Sequence, residues 1–284
     1  MKTVLETLQR GTEYLEKRGV PDARLNMQLM LAHQLECTKL DLYLQFDRPL
    51  EEPDLVPLRE MLRRRGLREP LQHVIGKVEF AGHEFKSDER ALIPRPETEE
   101  LVGRLIKEPP SIEPGQRVVD VGTGSGIIGL SLANAWKDRG LEFVLVDVED
   151  AALALAQENA IALELESSVQ LVQSDLLESA PGPYHLIVAN LPYIAHEEMV
   201  SLSPEVLKDP HSALDGGPGG LQLVERLIEQ SNTHLSAGGR ITLEIGAGQA
   251  DATMALFSKD LFENITKETD LSGIERFVSA SKIL

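Results

Sequence analysis

The stretch from Arg117 to Leu132, RVVDVGTGSGIIGLSL, carries the strongest structural signal in this 284-residue chain. It opens with an apolar run, interrupted only by Asp120, which is typical of a strand buried on both faces of a sheet. Three closely spaced glycines follow, and an apolar, helix-like segment begins directly after them. This order predicts a loop that binds a nucleotide-like cofactor, because glycine lets the backbone approach a ligand closely and a helix start presents unpaired N–H groups.

The spacing of the three glycines separates two classes of cofactor loop. Gly122, Gly124 and Gly126 are separated by single residues, whereas dinucleotide enzymes use Gly-x-Gly-x-x-Gly. With Asp120 in the preceding strand, the pattern resembles the first motif of the S-adenosylmethionine-dependent methyltransferases. The resemblance implies that the loop holds the methionine end of that cofactor rather than a pyrophosphate. The simpler alternative is a glycine-rich turn that only ends a strand.

Composition narrows the class of protein. Hydrophobic residues make up 42% and charged residues 26% of the chain, which is typical of a soluble globular protein. The formal net charge of −18 disfavours extensive binding to bare nucleic acid, which needs a basic face. The single cysteine, Cys37, fits a reducing compartment, and the histidines show no metal-ligand spacing, so we expect no metal site. The charged N-terminus and the lack of a membrane-length apolar run lead us to expect a cytoplasmic protein.

Hydrophobic patterning divides the chain into three regions. Residues 1–72 have helical periodicity, and we predict that Asp22 caps the second helix and that Gly66 ends the third. Residues 73–94 predict a β-hairpin that links two domains. Residues 95–284 alternate strands and helices, which predicts an α/β domain whose parallel sheet is covered on both faces. In this third region, strands are expected near 117–122, 142–147, 168–173, 185–190, 239–246, 262–267 and 275–281, and helices near 126–138, 149–163, 219–235 and 247–259.

Two further segments have distinctive compositions. Arg63, Arg64, Arg65 and Arg68 form a basic cluster, which we interpret as a solvated helix C-terminus, with a contact to RNA or an RNA-bound partner as the alternative. The segment 93–99, IPRPETE, has two prolines that fix an extended backbone around the arginine between them. It is either a rigid linker capped by a helix or a stiff strap that forms a wall of a substrate pocket.

Two aspartates follow predicted strands of the α/β domain. Asp147 ends the second strand, where its two carboxylate oxygens can accept both ribose hydroxyls of an adenosyl group. The alternative is a helix N-cap. Asp175, followed by Leu176, comes after the third strand and can face an adenine edge, or it can be an ordinary turn aspartate.

The fourth strand ends in Asn190-Leu191-Pro192-Tyr193. The asparagine lies where open α/β sheets bind ligands. Its side-chain oxygen can accept one N–H of a planar amine or amide, and the carbonyl of Leu191 can accept the second. Pro192 stiffens the turn, and the ring of Tyr193 can lie against a flat substrate. Each residue alone also fits a proline turn capped by asparagine.

The chain as a whole resembles the HemK-type glutamine methyltransferases that modify peptide chain release factors. The resemblance covers nearly the whole chain. The motifs that carry it are Arg68-Glu69-Pro70-Leu71, Gly76, Phe80-x-Gly82-x-x-Phe85, Ile93-Pro94-Arg95-Pro96-Glu97-Thr98-Glu99, Asn190-Leu191-Pro192-Tyr193 and Pro210-x-x-Ala213-Leu214-x-Gly216-Gly217-x-x-Gly220. The family usually has proline at the position of Leu191. Leucine there is typical of ribosomal RNA adenine dimethyltransferases, although either residue supplies the backbone carbonyl.

The resemblance implies a fold, a reaction and a set of site residues. The fold is a Rossmann-like class I methyltransferase domain at 95–284, with a small helical substrate-recognition domain at 1–72 and a β-hairpin linker at 73–94. The reaction is methyl transfer from S-adenosyl-L-methionine, giving S-adenosyl-L-homocysteine, to the amide nitrogen of the glutamine in the Gly-Gly-Gln loop of a release factor. We expect a monomer that does not bind a membrane. The implied cofactor-binding residues are Asp120, Gly122, Thr123, Gly124, Ser125, Gly126, Asp147, Asp175, Leu176 and Asn190. The implied catalytic residues are Asn190, Leu191, Pro192 and Tyr193, which also bind the substrate together with Arg95.

Two other functions compete with this one. An RNA or DNA adenine methyltransferase shares the Asn-Leu-Pro-Tyr chemistry, but the net charge of −18 and the IPRPETE segment argue against it. A binding protein that kept the fold without catalysis is the second. The intact glycine loop, Asp147 and Asn190 argue against that function.

Overall fold

The computed structural model describes residues 2–284, which divide into two compact units. The smaller unit comprises the residues up to Lys77 together with Ser203–Lys208. The larger unit comprises Val78–Leu202 and Asp209–Leu284. No helix within residues 2–284 is long and apolar enough to cross a membrane.

The smaller unit is mainly helical, as the periodicity predicts. Its elements are β1 (Lys2–Thr3), α1 (Val4–Lys17), α2 (Ala23–Gln34), α3 (Lys39–Leu44), β2 (Pro49–Leu50), α4 (Glu52–Gly66) and α5 (Leu71–Ile75). Apolar side chains of α1, α2 and α4 bury one another in a common core, which includes Leu8, Met27 and Leu58. Helices α3 and α5 are not predicted individually by the sequence, because helices of six and five residues are too short to show a period of 3.6.

Two helix-boundary predictions in the smaller unit give the right positions but the wrong physical reasons: α2 begins directly after Asp22, and α4 ends at Gly66. Asp22 precedes α2, but its backbone is left-handed (φ 49°) and its side chain makes no capping hydrogen bond. Gly66 lies inside the last turn of α4 rather than beyond it. A Cβ at Gly66 would lie 2.7 Å from Cε1 of Tyr14. Close packing of α4 against this ring, and not helix termination, therefore requires glycine here.

The basic cluster lies at the C-terminal end of α4, as expected, but only Arg63 is largely solvated, with a side chain 57% exposed. Arg65 is only 4% exposed, and it donates to Oδ1 of Asn26 at 2.7 Å and to Oε1 of Glu205 at 3.1 Å. Arg68 donates to Oε1 and Oε2 of the same glutamate at 2.6 Å. Arg64 pairs with Glu69. Removing one partner of the Arg65–Glu205 pair would leave the other charge buried without compensation.

The larger unit has strands and helices close to the expected positions. Its elements are β3 (Lys77–Phe80), β4 (His83–Lys86), α6 (Pro96–Lys107), β5 (Arg117–Val121), α7 (Ile127–Ala135), β6 (Glu142–Asp147), α8 (Asp150–Ala162), β7 (Val169–Gln173), β8 (Tyr184–Asn190), α9 (Gln222–His234), β9 (Leu235–Glu244), α10 (Ala250–Leu256), β10 (Phe262–Thr269) and β11 (Glu275–Lys282). Strands β3 and β4 form the expected hairpin. Phe80 and Phe85 of this hairpin are buried in the core of the larger unit.

The main sheet has the order β10-β11-β9-β8-β5-β6-β7. Strands β5 to β9 pair in parallel, but β11 is antiparallel to both β9 and β10. The prediction of a wholly parallel sheet is therefore wrong at this edge. The short connection between β10 and β11, residues 270–274, allows only a hairpin, which pairs strands antiparallel.

Strand β5 alternates its side chains between two cores, as a strand covered on both faces must. Val119 and Val121 pack with apolar residues of α9 and α10. Val118 packs on the opposite face with residues of α6 and α7. The chain continues from β5 to β6 and β7 on one side, and β8 then lies on the other side of β5. This reversal of strand order opens a crevice at the carboxyl ends of β5 and β8.

Candidate active site

A cleft of the larger unit lies at this reversal of strand order. From the predicted site residues it is lined by Gly122, Thr123, Gly124, Ser125, Asp147, Asp175, Leu176, Asn190, Leu191 and Pro192. The segment 93–99 contributes Pro94 and Thr98 to the wall, which confirms that it is a strap beside a pocket. Among the described residues, Asp120, Gly126, Tyr193 and Arg95 do not line the cleft.

The three glycines of the loop are needed for different reasons. All three have positive φ, which favours glycine. A Cβ at Gly124 would meet only the methyl group of Ala91, at 3.6 Å, and would otherwise stand in the cleft. A Cβ at Gly122 would lie 2.9 Å from Cδ2 of Leu191, and one at Gly126 would lie 2.7 Å from Cδ1 of Leu130. Only Gly124 therefore leaves open space for a ligand, whereas the other two permit close packing within the protein.

Asp120 holds the glycine loop in place through hydrogen bonds. It is 1% exposed, and its Oδ2 accepts hydrogen bonds from Oγ1 of Thr123 at 2.6 Å and from the backbone N–H of Gly129 at 2.8 Å. Burial raises the pKa of Asp120 to about 6, against the effect of these two hydrogen bonds. Its carboxyl group therefore ties the loop to the start of α7, and it acts on a ligand through the shape of the loop.

Asp147 accepts hydrogen bonds from the glycine loop and from the residue before α8, but the N-cap of that helix is Glu149. Its Oδ2 accepts the backbone N–H of Gly124 at 2.8 Å, and its Oδ1 accepts that of Glu149, at the start of α8, at 3.0 Å. Burial raises the pKa of this carboxyl. A carboxylate has about four acceptor positions, so two remain for hydroxyl groups of a ligand in the cleft.

Asp175 and Leu176 lie at the far end of the cleft wall. Oδ2 of Asp175 accepts from Arg226 at 2.7 Å in an exposed ion pair. Leu176 is buried and has a positive φ of 51°, a strained conformation for a non-glycine residue. We interpret this conformation as the one that lets the backbone turn at Leu176 and follow the cleft wall.

Asn190 is the last residue of β8, and within residues 2–284 only the nitrogen of its side-chain amide has a hydrogen-bond partner. Its Nδ2 donates to Oγ1 of Thr98 at 3.0 Å. Its Oδ1 is buried and has no hydrogen-bond partner among the described residues. Because an unpaired buried acceptor costs free energy, this oxygen is placed to accept a hydrogen bond from a ligand in the cleft.

Two glycines pack closely against the backbone of the turn that follows Asn190. A Cβ at Gly216 would collide with the backbone of Pro192 and Tyr193, and one at Gly220 would collide with the carbonyl group of Tyr193. The same carbonyl oxygen accepts from Nε2 of Gln249 at 3.0 Å. Burial raises the pKa of the tyrosine hydroxyl. The close approach of this glycine-rich segment therefore gives the turn its fixed backbone.

Arg95 forms an ion pair outside the cleft lining. Its guanidinium donates to Oδ2 of Asp209 at 3.1 Å, and this aspartate side chain is 1% exposed. Burial raises the pKa of Asp209 to about 6, and Arg95 acts in the opposite direction. The contact anchors the strap at the extended residue between its prolines.

Thr98 and Glu244 were not selected in the sequence analysis, although both lie beside Asn190. Glu244 ends β9 and pairs in register with Asn190 of the neighbouring parallel strand. Its place at the carboxyl end of a predicted strand was a signal that could have identified it. Thr98 was named only as part of the IPRPETE motif, which did not indicate its hydrogen bond with Asn190, because only the packing of α6 creates that contact.

Comparison with known proteins agrees with this arrangement. Residues 6–76 match the model of the PrmC N-terminal domain, and residues 98–225 match the methyltransferase small domain. The release factor glutamine methyltransferase of Rhodopirellula baltica is 34% identical over 99% of this chain and 96% of its own length. The enzyme of that name from Deinococcus radiodurans is 35% identical over 98% of both chains. The crystal structure of a methyltransferase from Pyrococcus furiosus shares the fold, with a TM-score of 0.52, 15% identity and coverage of 70% of this chain and 89% of that one. On the strength of the two near-full-length relatives, the chain belongs to the release factor glutamine methyltransferase family.

Proposed function

We propose that this protein transfers a methyl group from S-adenosylmethionine to the amide nitrogen of the glutamine in the Gly-Gly-Gln loop of a peptide chain release factor. The observation that carries the proposal is the buried, unpartnered Oδ1 of Asn190 in the wall of the cleft. The names of the two relatives support the same substrate. We further propose that residues 1–72 recognise the release factor.

The cleft residues fit the cofactor. S-adenosylmethionine, when bound, supplies an electrophilic methyl group on a positively charged sulfur. Gly124 leaves the cleft open where any side chain would intrude. Asp147 keeps acceptor positions that suit the two ribose hydroxyls. The residues that we propose hold the cofactor are Gly122, Thr123, Gly124, Ser125, Asp147, Asp175, Leu176 and Asn190, with Asp120 and Gly126 shaping the loop.

Asn190 and Leu191 have to orient a weak nucleophile. The lone pair of an amide nitrogen is delocalised, so the rate depends on how well the nitrogen is held in line with the bond that breaks. Oδ1 of Asn190 and the carbonyl oxygen of Leu191 can each accept one N–H of the substrate NH₂ group. The two acceptors also stabilise the positive charge that develops on the nitrogen during transfer. The proton is lost to solvent after transfer, so no side-chain base is required.

The adenine methyltransferase alternative gains no support from the structure. The same two acceptors would bind an adenine amino group equally well. However, three arginines of the basic cluster are engaged in internal contacts, and the chain carries a net charge of −18. A protein substrate fits this charge better than a polyanion does.

The substrate is tested by offering both candidates to the same enzyme. The intact protein is incubated with labelled S-adenosylmethionine and either an unmodified release factor or unmodified ribosomal RNA. We expect label on the factor, located by mass spectrometry on the Gly-Gly-Gln glutamine, and none when that glutamine is replaced by alanine. Label on the RNA and not on the factor would overturn the proposal.

Asp147→Ala is expected to weaken S-adenosylmethionine binding about tenfold to a hundredfold, because two hydrogen bonds to the ribose are lost. The rate at saturating cofactor should change much less, since the ribose is remote from the reacting atoms. Calorimetry and saturation kinetics measure the two effects. Asp150→Ala, in the exposed first turn of α8, is the control and should bind normally. A large fall in the saturated rate with unchanged affinity would contradict this role.

A further inference from the structure

Two buried polar residues lie beside the Asn190 amide. Thr98 lies in the first turn of α6 and is 2% exposed. Glu244, the last residue of β9, is also 2% exposed and is the register partner of Asn190 in the sheet. Buried polar side chains are costly unless they hydrogen bond. Their placement in contact with one catalytic side chain therefore calls for an explanation.

The hydroxyl of Thr98 distinguishes the two ends of the asparagine amide. Nδ2 of Asn190 donates to Oγ1 of Thr98 at 3.0 Å, so the nitrogen faces the threonine and the oxygen faces elsewhere. A hydroxyl has one proton to donate. If that proton pointed toward Asn190, the amide would gain a hydrogen bond by turning over, and its NH₂ would then replace the oxygen that is meant for the substrate.

Glu244 supplies the acceptor that keeps the hydroxyl proton away from Asn190. Burial raises the pKa of this carboxyl to about 7, while its hydrogen bond with Thr98 acts in the opposite direction. Glu97 raises the same pKa, whereas Arg276 and a hydrogen bond with the Asn190 side chain lower it. In its ionised form this carboxyl only accepts hydrogen bonds. In that form it directs the threonine proton to Glu244, leaves the threonine lone pairs for Nδ2 of Asn190, and can itself accept from the Asn190 NH₂ group.

We infer that Thr98 and Glu244 are positioning residues, which hold the Asn190 amide in the one orientation that offers its oxygen to the substrate NH₂ group. This inference rests on the proposed function, since it concerns the same methyl transfer. Neither residue needs to touch the reacting atoms. They affect the reaction only by orienting Asn190. A residue with a general role in stability would also matter in a variant that lacks the Asn190 amide.

The test compares Thr98→Val, Thr98→Ser and Glu244→Gln in the release factor assay. Valine keeps the shape of threonine without the hydroxyl, serine keeps the hydroxyl, and glutamine adds an NH₂ donor where only an acceptor stood. We expect Thr98→Val and Glu244→Gln to lower kcat about a hundredfold, because a misoriented catalytic group typically costs that much. Thr98→Ser should keep a kcat near that of the parent. S-adenosylmethionine affinity should be unchanged for Thr98→Val, and the fall in Tm should be no larger than that of the control below, which also loses buried hydroxyl hydrogen bonds. Thr242→Val, the same change at a buried position of β9, is the matched control and should keep full activity.

A double-mutant cycle gives the decisive result. Combined with Asn190→Ala, Thr98→Val should cause no further loss of kcat, because there is no amide left to orient. Additive losses, a full rate in Thr98→Val, or an effect on cofactor affinity in place of kcat would each overturn the inference. In all three cases the parent enzyme still methylates the factor. An inactive parent enzyme would instead overturn the proposed function, so the two failures are distinguishable. If Glu244→Gln does not fold, the Thr98 variants and the double-mutant cycle still test whether the Asn190 amide is oriented by its buried neighbours.

Discussion

Asn190→Ala is expected to lower the rate of methyl transfer about a hundredfold to a thousandfold, the usual cost of losing one preorganised contact to a developing charge. The substitution removes the buried Oδ1 that has no protein partner. It removes one of the proposed cofactor contacts but leaves the glycine loop and Asp147 intact, so the affinity for S-adenosylmethionine should fall much less than the rate. Single-turnover kinetics on a release factor and calorimetry with the cofactor measure the two quantities separately.

Asn190→Asp makes the same prediction more specific. Aspartate keeps an acceptor oxygen at nearly the same place, but it adds a negative charge near the positively charged sulfur. That charge favours the bound cofactor over the transition state, in which the sulfur loses its charge. We therefore expect this variant to be impaired as well, with cofactor binding retained. If either variant methylated the factor at the parent rate, Asn190 would have no role in holding the substrate.

Gly124→Val should abolish measurable S-adenosylmethionine binding while the protein stays folded. The residue has a φ of 55°, which costs a residue with a Cβ roughly 1–2 kcal/mol, and the new side chain would stand in the cleft. Calorimetry should show no titration, and thermal unfolding should show a Tm near the parent value. Gly273→Val is the matched control, because this glycine also has positive φ (82°) but has no neighbour within 4 Å of an added Cβ. It should bind the cofactor normally, and normal binding by Gly124→Val would refute the assignment of the loop.

The neighbouring loop position would be a poor test. Gly126 belongs to the same glycine pattern and was expected from the sequence to bind the cofactor. In the structure its Cβ would instead meet Leu130 at 2.7 Å and Ala156 at 3.2 Å. We therefore expect Gly126→Val to lower Tm, because it overpacks the start of α7.

The features that could be read from the sequence are those created by neighbouring residues. The strand before Gly122 and the helix after Gly126 follow from local periodicity and backbone preferences. Asp147 and Asn190 were recognisable because each is the last residue of an apolar strand, and the carboxyl ends of parallel strands meet at one edge of a sheet. A few consecutive residues were enough to place both side chains in the same cleft.

The features that could not be read depend on residues distant in the sequence. Nothing around Arg65 indicates that it pairs with Glu205, which follows it by 140 positions, so the cluster was interpreted as solvated. Thr98 and Asn190 are 92 positions apart, and Glu244 comes from a third element. Such contacts leave no periodic pattern in the sequence, because their free energy arises only when packing removes the groups from water. The chain's local chemistry thus specifies the cleft and the acceptor in its wall, while the orientation of that acceptor is set by side chains that only the folded packing brings together.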